Sequence, residues 1–269
     1  MKILMPIGGA LDHENPHIMR EFVERSGGAQ ARIVILPQAS ALAETGSHYV
    51  HQCLSLGAGQ VISLEFRQRH AADTTENLDA IEEASGIFFT GGAQMRITQL
   101  IGGTRLADAL YRAYLRGCVI AGTSAGASVL SKTMIAYGKS GPTPRERIVQ
   151  CSPGLGFTDR FVFDQHFRQR DRWGRLIYVV CTHPGVLGIG IDEDTAAIIE
   201  DEQHIRVYGK GAVTILDGRT ISESNVAEVE AGRPVAVGHL TAHVLTAGCT
   251  YDCVNGNAHI TVVPSLSDE

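Results

Sequence analysis

No stretch of the chain approaches the ~18 consecutive apolar residues that a membrane-spanning helix requires, so no span is expected. Basic residues never form a block. With 23 Lys and Arg against 29 Asp and Glu, the formal charge is −6 at pH 7. That balance argues against a nucleic-acid partner, whose phosphates select clustered cations. Cysteine is sparse and scattered, at positions 53, 118, 151, 181, 249 and 253. Cys249 and Cys253 are close together, but no second ligand pair stands at zinc spacing, so no metal is expected. Gly138-Lys-Ser140 is not a phosphate loop, because Thr133 stands where the leading glycine belongs. Gly188-Ile-Gly190 runs into acids that would repel a pyrophosphate, so the chemistry is expected to need no cofactor. The opening Met-Lys-Ile-Leu-Met-Pro-Ile-Gly-Gly is interrupted too soon for a signal peptide. With reduced thiols and no export signal, the cytoplasm is the expected compartment.

What is present is an ordinary globular composition, 44% hydrophobic and 19% charged, in a chain of 269 residues that can bury a sizeable core. Short apolar strands alternate with amphipathic helices in the first two-thirds. Strands are expected at Lys2–Ile7, Arg32–Pro37, Val61–Phe66, Ser85–Phe89 and Gly117–Ala121. Helices are expected at His17–Ser26, Gly46–Leu56, Asn77–Ala84, Ile97–Leu100 and Leu106–Arg116. β-Branched strands without a polar face predict a mostly parallel sheet covered by helices on both sides. Beyond about residue 196 the pattern changes to short strands with turns: Thr195–Glu200, Ile205–Tyr208, Ala212–Leu216, His239–Thr246 and His259–Val263. The fold class is therefore α/β with extra antiparallel strands in the C-terminal third. The expected organisation is one domain, 1–269, with residues 1–200 as catalytic sheet core and 201–269 as a strand-rich extension.

The strand Gly117–Ala121 leads into Gly122-Thr-Ser124-Ala-Gly126, the sequence form of a nucleophile elbow or of an ordinary Gly-rich β–α turn. A serine hydroxyl needs a base to take its proton. Of eleven histidines, most stand in polar contexts; His166 ends the strand-like Phe161-Val-Phe-Asp-Gln165, and three polar groups in a row make a poor core segment. Arginines 168, 170, 172 and 175 follow, either as a solvated helix start or as a clamp for substrate carboxylates, with Trp173 among them to pack against a guanidinium. Asp192, Glu193 and Asp194 offer three acids to orient the imidazole, and alternation does not choose between them. Gly91-Gly92 closes another strand, where free N–H groups of Gly92 and Ala125 could form an oxyanion hole worth about 3 kcal/mol per donor.

Together, Ile7-Gly-Gly-Ala10, Phe89-Thr-Gly-Gly92 with Gln94 and Arg96, Ala121–Ala127, Asp164-Gln-His-Phe167 and Thr182-His-Pro184 through Thr195 resemble the cyanophycinase family. These are serine peptidases related to aspartyl dipeptidases, with a class I glutamine amidotransferase-like, flavodoxin-like fold. The resemblance spans roughly residues 7–215. It implies Ser124 as nucleophile, His166 as base and Glu193 as orienting acid, with Gln94, Asp164, Gln165, Arg170, Arg172 and Arg175 holding substrate. It further implies exopeptidase action on cyanophycin, a poly-aspartate backbone with arginine on each side-chain carboxylate, releasing β-Asp-Arg dipeptides, by a homodimer. Asp12, Glu14, Asp164 and Asp171 are candidates to receive the substrate guanidinium. One departure is Ala93, where the family usually has aspartate. That position leaves open a related peptidase for short aspartyl or isoaspartyl peptides, and a further alternative is a catalytically silent peptide-binding member. Serine at the elbow, rather than cysteine, disfavours a glutamine amidotransferase.

Overall fold

Alternate residues of the central strands belong to two different cores, and this fixes the layering. We describe residues 1–262 in a computed structural model. Strands β1 (Ile3–Ile7), β2 (Arg32–Leu36), β3 (Gln60–Ser63), β4 (Gly86–Phe89) and β5 (Val119–Thr123) pair in parallel in the order β1-β5-β4-β2-β3. Leu4, Val34, Leu36, Ile87, Phe89 and Ile120 face one core; Ile3, Met5, Ile33, Ile35, Phe88 and Val119 face the other. A sheet buried on both faces explains strands that read as unbroken apolar runs. Helices α1 (His17–Arg25) and α2 (Thr45–Ser55) cover the second face. The first face takes α3 (Thr75–Glu83), α4 (Gln94–Ile101) and α5 (Arg105–Leu115).

Helix α5 shows how local sequence sets up the elbow. Leu106, Ala109, Leu110, Ala113 and Tyr114 make one buried stripe at helical spacing. The Thr104 hydroxyl accepts from the Ala107 N–H at 3.2 Å and caps the start. Gly117, at φ 98°, ends the helix: its N–H bonds the Tyr114 carbonyl, and that of Cys118 bonds Ala113. That pair is a Schellman motif. It turns the chain straight into β5 and the residues of the elbow, after which α6 (Ala125–Ser128) is a single turn.

The second half supplies β6 (Thr133–Gly138) and β7 (Val149–Pro153), paired as a hairpin that the sequence did not announce. Then follow β8 (Phe161–Gln165), α7 (Trp173–Thr182), β9 (Leu187–Ile191), β10 (Thr195–Glu200), β11 (His204–Gly209), β12 (Ala212–Asp217), β13 (Glu223–Ser224), β14 (Val237–Gly238), β15 (Thr241–Thr246), β16 (Thr250–Asp252) and β17 (Asn257–His259). Strands β10, β11, β16 and β17 extend the main sheet antiparallel from β1. Strands β12 and β15 do not join it. They continue a second sheet, β15-β12-β9-β8, in which β8 and β9 are parallel. One face of this sheet sends Phe161, Phe163, Ile189, Ile191, Val213 and Ile215 into the first core, and α7 covers the other through Leu176, Val179 and Val180. The strand expected at His259–Val263 is displaced: β17 ends at His259, and Val263 lies outside the described residues. Among the described residues no helix is long and apolar enough to cross a membrane.

Candidate active site

At the carboxyl end of β5 the backbone turns through Ser124 at φ 52°, ψ −112°, a conformation that side-chain-bearing residues rarely hold. The Ser124 N–H is tied to the Ile7 carbonyl at 3.0 Å. Glycines two residues either side make the turn possible. A Cβ at Gly122 would stand 2.3 Å from the Gly126 carbonyl oxygen, and one at Gly126 would stand 2.2 Å from that of Phe89. The clash avoided is thus with backbone, not between two side chains. Because α6 is only one turn, few peptide dipoles align behind the serine, and what it faces is free N–H groups rather than a helix macrodipole.

His166 follows β8 at φ 46°, its N–H held by the Gly8 carbonyl at 2.7 Å. Its Nε2 lies 2.9 Å from Ser124 Oγ and its Nδ1 lies 2.6 Å from Glu193 Oε1. Nδ1–H donating to the carboxylate leaves Nε2 free to accept from the serine hydroxyl. Burial holds the imidazole below its ordinary 6.5; the Glu193 hydrogen bond opposes this, and the positive charges of Arg170 and Arg172 add to it. The imidazole is therefore neutral at pH 7, as a base must be. Of the three clustered acids, Glu193 alone reaches it. Asp192 accepts from the N–H groups of Arg168 at 3.0 Å and Ala212 at 3.2 Å, and Asp194 from that of Asp12 at 3.0 Å.

Under the imidazole lies Gly9, which sequence reasoning did not single out as a site residue. A Cβ there would stand 2.3 Å from His166 Cε1 and 2.5 Å from Nε2. The only signal in the sequence is the pair Gly8-Gly9 directly after β1. A Cβ on Gly8 would stand 1.8 Å from the Asp192 carbonyl oxygen, and both backbones are pinned: the Gly8 N–H reaches the Thr195 carbonyl at 2.9 Å, and the Gly9 carbonyl accepts from the Asp194 N–H at 2.9 Å.

The arginines separate into buried and free. Arg172 and Arg175 are 7% and 5% exposed, around an Asp164 that is 1% exposed. Arg175 Nε donates to Asp164 Oδ2 at 2.6 Å and its Nη2 to Oδ1; Arg172 Nη1 donates to Oδ1 at 3.2 Å and to Gln165 Oε1 at 2.9 Å. Burial is the main reason that Arg172 is lowered to about 10, with Asp164 opposing. A carboxylate so engaged has no free edge for a substrate guanidinium, which departs from the expectation for Asp164. Asp12 is likewise engaged, with Lys210 Nζ at 2.5 Å. Trp173 meets no guanidinium among the described residues; it packs on Phe167 at 5.5 Å between centroids. Arg170 is exposed and has no ionic partner among the described residues.

Gly92, Gln94, Ser124, Gln165, Arg170, Arg172 and Arg175 line one cavity of about 400 Å³. Asp164 stands behind the arginines, not on the wall. The position of a Cβ on Gly91 is 3.4 Å from Ser124 Cβ, so the Gly91-Gly92 turn lies against the serine. Neither the Gly92 nor the Ala125 N–H has an acceptor among the described residues. Gln94 donates to the carbonyls of Ile135 and Ala136 and fastens β6 to the cavity. Ala93 is exposed at the N-cap of α4, φ −103°, ψ 108°, with no side-chain cap. Among the described residues no three His, Cys, Asp or Glu side chains are placed to share a metal ion, and the six thiols are free.

Residues 3–207 match the family model Peptidase family S51. A protein named Cyanophycinase from Trichormus variabilis is 40% identical over 249 residues, covering 91% of this chain and 83% of that one. Another of that name, from Geminocystis herdmanii, is 38% identical over 252 residues, covering 93% of each. Among solved structures, a peptidase from an acI-B1 Actinobacterium superposes with a TM-score of 0.67 at 22% identity, covering 94% of this chain and 97% of that one. At that identity the last likeness speaks for the fold alone.

Proposed function

The chain belongs to peptidase family S51, and from that premise we propose that it hydrolyses the α-linked poly-aspartate backbone of cyanophycin, releasing β-Asp-Arg dipeptides through an acyl-enzyme on Ser124. One observation carries the reading: the unbroken relay Ser124–His166–Glu193, at 2.9 and 2.6 Å, opens into a cavity walled by three arginines. In the mechanism, neutral His166 takes the serine proton as Oγ attacks the backbone carbonyl. Glu193 holds the tautomer and stabilises the imidazolium. The N–H groups of Gly92 and Ala125 receive the oxyanion, and His166 then protonates the departing amine. Water, deprotonated by the same imidazole, hydrolyses the ester.

The substrate carries a carboxylate and a guanidinium on every unit. Arg170, free at the cavity wall, is the carboxylate contact in this reading. Arg172 and Arg175 are held in place by Asp164, whose role becomes positioning them rather than meeting substrate. Gln94 and Gln165 complete the wall. The reading includes a cytoplasmic homodimer and a single domain whose C-terminal strands extend the catalytic sheet. The rival, a short-peptide peptidase, drew on Ala93. Its place at a helix N-cap makes the missing aspartate a missing cap. Incubating the purified protein with isolated cyanophycin and, separately, with Asp-initial dipeptides decides between them by mass spectrometry. β-Asp-Arg release supports the polymer; cleavage of the dipeptides alone refutes it.

A further inference from the structure

A second cavity, of about 520 Å³, adjoins the one at Ser124: Tyr137 and Gly138 line both. It lies on the hairpin of β6 and β7. The pairing register shifts between Ile135 and Tyr137, so Ala136 is the extra residue of a β-bulge. The bulge changes what the strand presents. Met134, Ile135 and Ala136 are buried, whereas Tyr137 is 61% exposed. Both sides of the kink are fixed. Gln94 donates to the Ile135 and Ala136 carbonyls from the catalytic cavity, and the Tyr137 hydroxyl donates to Gln150 Oε1 from across the hairpin. A large ring is thus held standing on the ridge between the two cavities.

The far wall is cationic in a chain whose formal charge is −6. Lys139 is exposed, with no ionic partner among the described residues. Arg147 occupies the left-handed region at φ 57°, a conformation that costs a non-glycine residue energy and often marks a functional constraint. Its side chain is 78% exposed, and the guanidinium meets only Glu146, at 3.3 Å, among the described residues. Around these charges the wall is apolar, through Ile148 and Val149.

We propose that this trough binds the stretch of polymer lying beyond the units at Ser124, with Tyr137 stacking a substrate guanidinium and Lys139 and Arg147 receiving substrate carboxylates. The inference rests on the proposed function. The chemistry matches unit by unit: each arginine branch of that polymer ends in one guanidinium, which stacks on an aromatic face, and one carboxylate, which pairs with a cation. Two joined cavities give a polymer more contacts than a two-unit fragment reaches, so the trough acts on length preference and not on bond cleavage.

The test compares the parent, Lys139→Gln/Arg147→Gln and Tyr137→Ala on long cyanophycin and on its two-unit fragment. The ratio of the two kcat/KM values is expected to fall ~5- to 10-fold in each variant, through KM on the polymer. In a Ser124→Ala background, cosedimentation with polymer granules should weaken with the same substitutions. An unchanged ratio with unchanged cosedimentation overturns the trough. A parent that cleaves neither substrate overturns the proposed function itself, a result distinct from variants that merely track an active parent.

Discussion

Replacing Gly9 by alanine should disable the enzyme while leaving Ser124, His166 and Glu193 themselves unaltered in sequence. The added methyl would stand 2.3 Å from His166 Cε1 and 2.5 Å from Nε2. Carbon atoms settle at about 3.5 Å, so the pair must separate by about 1.2 Å. Gly9 sits at φ 98°, where alanine is also strained by roughly 1–3 kcal/mol. The backbone around it is pinned by the Asp194 N–H bond at 2.9 Å and by Gly8 to His166 at 2.7 Å, so the imidazole is the softer partner. It is held by hydrogen bonds of 2.9 and 2.6 Å, and a displacement of that size breaks at least one. Misplacement by about 1 Å costs on the order of 100-fold in rate. We expect kcat on cyanophycin to fall at least that far, with KM changed much less, in protein whose near-ultraviolet circular dichroism matches the parent. A folded Gly9→Ala variant turning over within threefold of the parent would refute the packing of Gly9 against the catalytic imidazole.

Three further outcomes follow from the geometry. Since burial keeps the folded-state value of His166 below 6.5, the acidic limb of kcat/KM should fall below pH 6.5. The linked stability is complete above 6.5 and declines as pH drops toward the folded-state value, because the unfolded chain takes up the proton first; urea titrations across pH 4–7 read this. Asp164→Ala strands two buried guanidinium groups, at a cost of about 3–5 kcal/mol, and should lower the unfolding midpoint by roughly 10 °C. A shift under about 2 °C would contradict the ion-pair account. Ala93→Asp supplies the absent cap of α4 and should raise the midpoint by about 2–4 °C. If it instead alters the polymer-to-dipeptide preference with no thermal gain, position 93 meets substrate.

Much of the fold was legible because buried parallel strands leave apolar runs and helices leave stripes. Thr195–Glu200 was read to the residue, and β1 to within one. The hairpin of β6 and β7 was not, since Thr133–Gly138 ends in exposed Tyr137 and Gly138 and its bulge breaks the alternation that reveals a strand. Strands β12 and β15 were legible as strands, but periodicity says nothing about which sheet receives them. At the site, glycine spacing around Ser124 and the polar end of β8 carried their chemistry in the sequence. Gly9 did not, because what matters is an imidazole that follows the end of a distant strand, β8. The burial of Arg172 and Arg175 was hidden for a similar reason: a charge-rich segment looks solvated until a buried Asp164 is found beside it.

Time-resolved mass spectrometry of cyanophycin digestion, with parent and Ser124→Ala protein side by side, tests the central claim most directly. The account predicts steady β-Asp-Arg release by the parent and at least ~1,000-fold less by the variant, which keeps its fold. Dipeptide release by Ser124→Ala at the parental rate would contradict it.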